Sequence, residues 1–159
     1  MAINYTQLAA EINNDPQTYG YQAWVTAGEP EKVAEALNKL RDGTDGETAI
    51  NVRRTDITPV ELLEALDTRD ISTSTNTLVG AYLQALLVLP TIRLTNANGN
   101  ANRIKDNLDR IITNGQNSQT RFNALAVRVG SRAEQLFGAG TVISTADVGL
   151  ALNPPALKA

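Results

Sequence analysis

Apolar positions recur along much of this chain at intervals of three and four, the spacing that gathers them on one face of an α-helix. Tyr5, Leu8 and Ile12 form the first such face, with Asn4 as N-cap, Gln7 three residues on, and Asp15-Pro16 as the stop. Residues Gln17 to Ala27 read as a loop that presses Tyr19, Tyr21 and Trp24 against the core, because such rings bury large areas. A second helix is predicted from Glu29-Pro30, with Val33, Leu37 and Leu40 as its buried stripe and Gly43 closing it. Ile50 and Val52 alternate with polar residues and lead into Arg53 and Arg54, a short strand or extended arm. Thr58-Pro59-Val60-Glu61 is a helix start with cap, first-turn proline and acidic third position, and Leu62, Leu63 and Leu66 follow.

The longest apolar run is Thr77 to Pro90, TLVGAYLQALLVLP. Leu78, Tyr82, Leu86 and Leu89 recur at helical spacing, and Leu83 and Leu87 widen the stripe to nearly every side. That pattern predicts a central buried helix around which the shorter ones gather, and it is too short to cross a bilayer. Ile92 and Leu94 read as an extended connection, and Asn98-Gly99 as part of a polar loop without flanking strands. A helix over about Asn102 to Ile112 carries Ile104, Leu108, Ile111 and Ile112, stopped by Asn114-Gly115. Ser118 opens the next, with Phe122, Leu125 and Val129 on one face. Ser131-Arg132-Ala133-Glu134 is a second capping box before a short helix ended by Gly138, and Ser144 with Asp147 starts a last helix that Pro154-Pro155 cannot continue. The expected fold is all-α, a single compact bundle over residues 1–152, with a loose tail over residues 153–159.

Composition narrows the chemistry. The 159 residues contain no cysteine and no histidine, which removes disulfides, thiol nucleophiles, thiolate and imidazole metal ligands, and the commonest general base near neutral pH. No signal peptide or membrane span is recognisable, so a cytoplasmic site of synthesis is expected. The net charge of −3 is unevenly spread: residues 1–90 hold 6 cationic and 13 acidic side chains, residues 91–159 hold 8 and 4. Opposite signs at the two parts suit head-to-tail packing of copies, and equally the solvated faces of one monomer.

Few residues carry candidate chemistry. Asp42 to Glu47, DGTDGE, lacks the register of a calcium loop and reads as an exposed turn. The pairs Glu61 with Glu64 and Asp106 with Asp109 lie at i, i+3 on polar helix faces, the ordinary place for solvated charge. No nucleophile elbow or phosphate-cradling glycine loop is present, so no catalytic, metal or cofactor residue is predicted. The three aromatics near Gly20 resemble a base-stacking platform, but no basic residue interleaves them. Ser131 to Leu152 reads as helix, turn, helix with Arg121, Arg128 and Arg132 nearby, yet the segment after Ser144 holds Asp147 and no cation before the tail. The residues expected to meet partners are therefore Arg53 and Arg54, which suit phosphate or an acidic neighbour, and Asn153, Pro154, Pro155, Leu157 and Lys158 of the tail.

The run Gly130-Ser131-Arg132-Ala133-Glu134-Gln135-Leu136-Phe137-Gly138, then Gly140 to Ser144 and Asp147-Val148, resembles a family of small helical proteins encoded among the structural genes of tailed bacteriophages and prophages. Tyr5 to Leu8, Glu11-Ile12, Asp15-Pro16, Gly20-Tyr21 and Ala36 to Asn38 look like the same family's N-terminal part. The resemblance implies a non-catalytic virion component, a head-tail connector (adaptor) subunit forming a twelvefold homo-oligomeric ring below the portal. Its implied partners are portal, neighbouring connector or capsid subunits, with no membrane, no sequence-specific nucleic acid and at most incidental contact with packaged DNA. A capsid decoration or head-completion protein is the nearest alternative, and a small helix-turn-helix DNA-binding protein a more distant one.

Overall fold

A computed structural model describes residues 3–44, 46–67, 70, 77–96, 99–112 and 117–153, and only the backbone at Thr77 and Leu78. Among these residues nine helices alternate with four very short strands: α1 (Tyr5–Asn14), α2 (Tyr21–Ala27), α3 (Pro30–Asn38), β1 (Asn51–Arg53), β2 (Asp56–Ile57), α4 (Pro59–Ala65), α5 (Thr77–Leu87), β3 (Ile92–Arg93), α6 (Arg103–Ile111), α7 (Asn117–Leu125), β4 (Val127–Val129), α8 (Arg132–Phe137) and α9 (Thr145–Leu152). The protein is thus mostly helical but not purely so, because β1 pairs with β4 and β2 with β3 in two small sheets.

Where one bundle is expected, the chain divides into two compact units. The first joins Met1–Asn51 to Val129–Ala159, and the second is Val52–Arg128. The first unit packs α9 on α1 and α3, and α3 on α2 and α8. Its core is built from Leu8, Ile12, Tyr21, Val33, Leu37 and Val148, among others. Asn38 fastens the extended residues before α9: its amide donates to the Ile143 carbonyl (2.7 Å) and its oxygen accepts the Ile143 N–H (2.9 Å).

The loop expected over Gln17 to Ala27 is in its second half a helix, α2. Asp15, itself in the left-handed region at φ 38°, accepts N–H bonds from Tyr19, Gly20 and Tyr21 at 2.7, 2.6 and 3.3 Å. One carboxylate thereby turns the chain and supplies the acceptor at the helix start that Gly20 lacks. Leu40 also departs from expectation. It lies beyond α3, bridges to Ser131 in an antiparallel pair, and is 61% exposed.

The second unit has its own core, centred on Ile57, Leu62, Ile92, Leu108 and Phe122. In β2 and β3, Asp56 faces Arg93 and Ile57 faces Ile92, so the buried residues share one face and opposite charges share the other. Asn102 caps α6 through the Lys105 N–H (3.0 Å) and also donates to the Arg93 carbonyl (2.7 Å). The polar segment before it is closed by a Thr95–Ala101 bridge, although no regular strands flank it; Asn98, Asn114 and Gly115 lie outside the described residues. Ser118, fully buried, accepts the Asp67 N–H at 2.7 Å and donates its own N–H to Asp70 at 2.9 Å, joining α7 to the end of α4.

Helix α5 is not the centre of either unit. Leu86 is its buried residue, Tyr82 and Leu83 pack partly against the second core, and Ala81, Gln84 and Ala85 are exposed. An all-apolar pattern records that a helix has no polar face, not that neighbours surround it. Three capping boxes form at α4, α8 and α9 through Thr58/Glu61, Ser131/Glu134 and Ser144/Asp147. Each satisfies backbone donors left open at a helix start and is worth about 1 kcal/mol.

Candidate interaction surface

Arg53 and Arg54 line a cleft of about 380 Å³ in the second unit, together with Lys105, Asp106, Asp109 and Asn123. β1 ends at Arg53, and the chain runs on through β2 into the capped helix α4. Arg54 reaches Glu61, the capping glutamate of α4, with Nη1 and Nη2 at 2.7 and 3.2 Å. Glu61 also accepts from the Thr58 N–H (2.7 Å) and hydroxyl (3.0 Å). The Arg54 guanidinium first, and then the Thr58 N–H, hold its carboxyl well below the usual range, at about 2. Lys105 pairs with both oxygens of Asp109 at 2.6 and 2.7 Å, and its ammonium lies 4.8 Å from the Phe122 ring centre. Two of the three cations are thus neutralised by the chain's own carboxylates, a poor arrangement for gripping phosphate. Arg53 is exposed at the cleft and makes no ion pair among the described residues.

Asn153 is exposed at the C-cap of α9 and lines a cleft in the first unit with Val25, Gly28, Pro30, Gly149 and Leu152. Pro154, Pro155, Leu157 and Lys158 lie outside the described residues. The two sets of expected contact residues therefore belong to different units, Arg53 and Arg54 to the second and Asn153 to the first.

The carboxylate pairs do not act as pairs. Glu61 is committed to Arg54 and Thr58, and Asp109 to Lys105, while Glu64 and Asp106 are exposed. Asp42 closes its own turn by accepting the N–H and hydroxyl of Thr44 at 2.9 and 2.7 Å, which lowers its pKa. The aromatic group is a packed cluster. Tyr21 is fully buried with Tyr19 edge-on at 5.7 Å and Trp24 tilted at 6.5 Å, and the Arg41 guanidinium sits 3.7 Å over Tyr19. Arg41 is buried and pairs with Glu47. Of the three arginines near the helix-turn-helix reading, Arg132 is committed to Glu11, donating to both of its oxygens at 2.7 and 2.6 Å. Helix α9 turns Val148 and Ala151 into the core and packs on α1 and α3.

The surface feature that sequence reasoning missed is apolar. Val88 is 82% exposed at the end of α5, and Val60 and Leu63 of α4 are 62% and 54% exposed. Helices α4 and α5 pack on each other, and Val88 follows the last residue of α5. At α5 its signal in the sequence is the absence of any charged residue between Asp70 and Arg93, whereas α4 carries Glu61 and Glu64. Among the described residues no group of three or more carboxylates is placed to hold a metal ion, and no helix is long and apolar enough to cross a membrane. No family model, curated protein or solved structure matches the chain.

Proposed function

We propose that this chain is a non-catalytic structural subunit of a tailed-bacteriophage virion, a head-tail connector (adaptor) whose copies associate in a ring below the portal. The observation that carries the reading is the set of exposed apolar side chains on α4 and just beyond α5, Val60, Leu63, Val88 and Leu89, the last two within a stretch that holds no charged residue between Asp70 and Arg93. Contiguous exposed apolar area is unfavourable in an isolated soluble domain and marks surfaces that another protein covers. The cores of such interfaces are depleted in charge, as this stretch is. Charge supports the same reading: the first unit holds five cationic and ten acidic side chains, net −5, and the second nine and seven, net +2. Two bodies of opposite sign on one chain suit a heterologous contact between copies, the type that generates rings. The resemblance of the Gly130 to Val148 run to phage structural-gene proteins supplies the biological setting.

Mass photometry of the purified chain, alone and with purified portal, tests the proposal. Assemblies of defined copy number, or a portal-bound ring, are expected, and their stability should fall with added salt as the opposite charges are screened. A chain that binds neither itself nor portal at high concentration and low salt, or that is missing from purified particles, is not an adaptor. Copy number per particle separates an adaptor, present about a dozen times by the ring geometry of such components, from a decoration protein present in far greater number.

A further inference from the structure

We propose that the first-unit groove formed by Trp24, Lys32, Glu35, Ala36, Asn38 and Lys39 is a guanidinium site, and that its occupant is an arginine of α6 from a second copy of the chain. This contact rests on the self-association proposed above and names the two surfaces that meet.

The groove has a volume of about 520 Å³, and its chemistry selects a cation. Trp24 is half-buried, packed against the first core while also lining the groove, and an indole is the best aromatic receptor for a cation. Lys32 is answered by Glu29 at 2.8 Å and Lys39 by Glu47 at 3.4 Å. The Asn38 amide is committed to Ile143. Glu35 is exposed, and its side chain makes no hydrogen bond or ion pair among the described residues, so the groove keeps one carboxylate uncompensated. Glu31, one turn earlier on α3, is exposed and equally without an ion pair among those residues. A guanidinium serves both features, stacking on the ring and donating two parallel hydrogen bonds to a carboxylate.

The chain's own cations identify the source. Among the described residues Lys32, Lys39 and Lys105 all face carboxylates, and the first unit's Arg41 and Arg132 pair with Glu47 and Glu11. Arg53, Arg93, Arg103, Arg110 and Arg121 are exposed, make no ion pair among the described residues, and all belong to the second unit. Arg93 stands opposite Asp56 in its strand pair, and Arg53 shares its cleft with Asp106 and Asp109. Arg103 and Arg110 are different: seven positions apart, they lie on one stripe of α6. Arg103 also opens that helix, the end at which the helix dipole disfavours a cation, so helix stability does not account for its place. The two arginines stand about 10 Å apart along the axis, and Glu31 and Glu35 about 6 Å, a difference that arginine's long stem absorbs. Helix α6 of one copy laid along α3 of another thus matches a cation to each carboxylate.

Sedimentation velocity and Trp24 emission, followed together on the full chain at low salt across a dilution series, test the contact. Trp24 is the only tryptophan, so its emission is expected to change with the same midpoint as the mass. Glu31→Lys with Glu35→Lys in one chain, and Arg103→Glu with Arg110→Glu in another, should each weaken self-association by about tenfold or more. Mixing the two chains should restore it, since each reversed surface then meets one of opposite sign, and restoration also shows that both variants are folded. Association that neither variant alters, or that leaves Trp24 emission unchanged, overturns this contact while the ring reading stands. Two weakened chains that do not restore each other overturn it too, as does a loss confined to the α3 variant, which would make another cation the occupant. A parent chain that stays monomeric at high concentration overturns both the contact and the self-association on which it rests.

Discussion

Breaking the Glu11–Arg132 pair should cost the first unit more than any other single polar substitution. The two side chains come from α1 and α8, 121 positions apart, and meet through two bonds of 2.6 and 2.7 Å. The Glu11 side chain is 4% exposed and that of Arg132 12%. The Glu11 carboxylate is the main cause of the raised pKa of Arg132. A buried pair gains little over a well-packed apolar pair, because desolvation offsets the attraction. Removing one member is different, since it leaves a charge in the core without its counter-charge, at about 3–5 kcal/mol. Against a typical total of about 5–15 kcal/mol, that is a large fraction. The assay is urea unfolding followed by Trp24 emission. Trp24 is the only tryptophan and packs against the first core, so its signal reports that unit. Glu11→Gln and Arg132→Met should each lower stability by about 3–5 kcal/mol, while Glu11→Leu combined with Arg132→Met should recover most of the loss. Single losses below about 1 kcal/mol, or a double variant as damaged as the sum of its parts, would refute the reasoning.

Three further outcomes are expected. Glu61 lies at about 2 when folded against its ordinary 4.5, so its contribution is complete above pH 4.5 and is lost as pH falls toward 2; an acid titration of Glu61→Gln should show a shallower fall over that interval than the parent chain. Tyr21 is fully buried and its hydroxyl finds no hydrogen-bond partner among the described residues, so Tyr21→Phe should leave stability unchanged or raise it by up to about 1–2 kcal/mol in the same urea assay. Val88→Lys and Leu63→Lys should change the monomer's stability by less than about 0.5 kcal/mol while weakening self-association or portal binding in mass photometry. Unchanged assembly would remove the α4–α5 surface from the proposed interface.

Where local chemistry decides, the sequence was informative. Thr58, Ser131 and Ser144 with their partners three residues on mark helix starts that form as read, and Asn4 and Asn102 cap as their positions imply. These features involve hydrogen bonds across three or four residues, so their evidence lies within one short window. The α2 helix was hidden because its stabilising acceptor, Asp15, lies before it and beside a proline that signals an ending. Arg53 and Arg54 were visible as a charged pair, but Glu61, which neutralises Arg54, was legible only as a cap. The clefts at Arg53 and at Asn153 draw walls from segments remote in sequence, and no local pattern announces either.

The sequence by itself determined the helical character, the caps and stops, the absence of thiol and imidazole chemistry, and the position of the charge-free apolar stretch. All of these depend on residue identity and on neighbours within about one helical turn. Only the tertiary structure decided that there are two cores rather than one, that Glu11 answers Arg132, and that α5 lies at a surface with Leu86 as its buried residue. Burial depends on which distant segment covers a face, and an apolar helix has the same periodicity whether its cover comes from its own chain or from another.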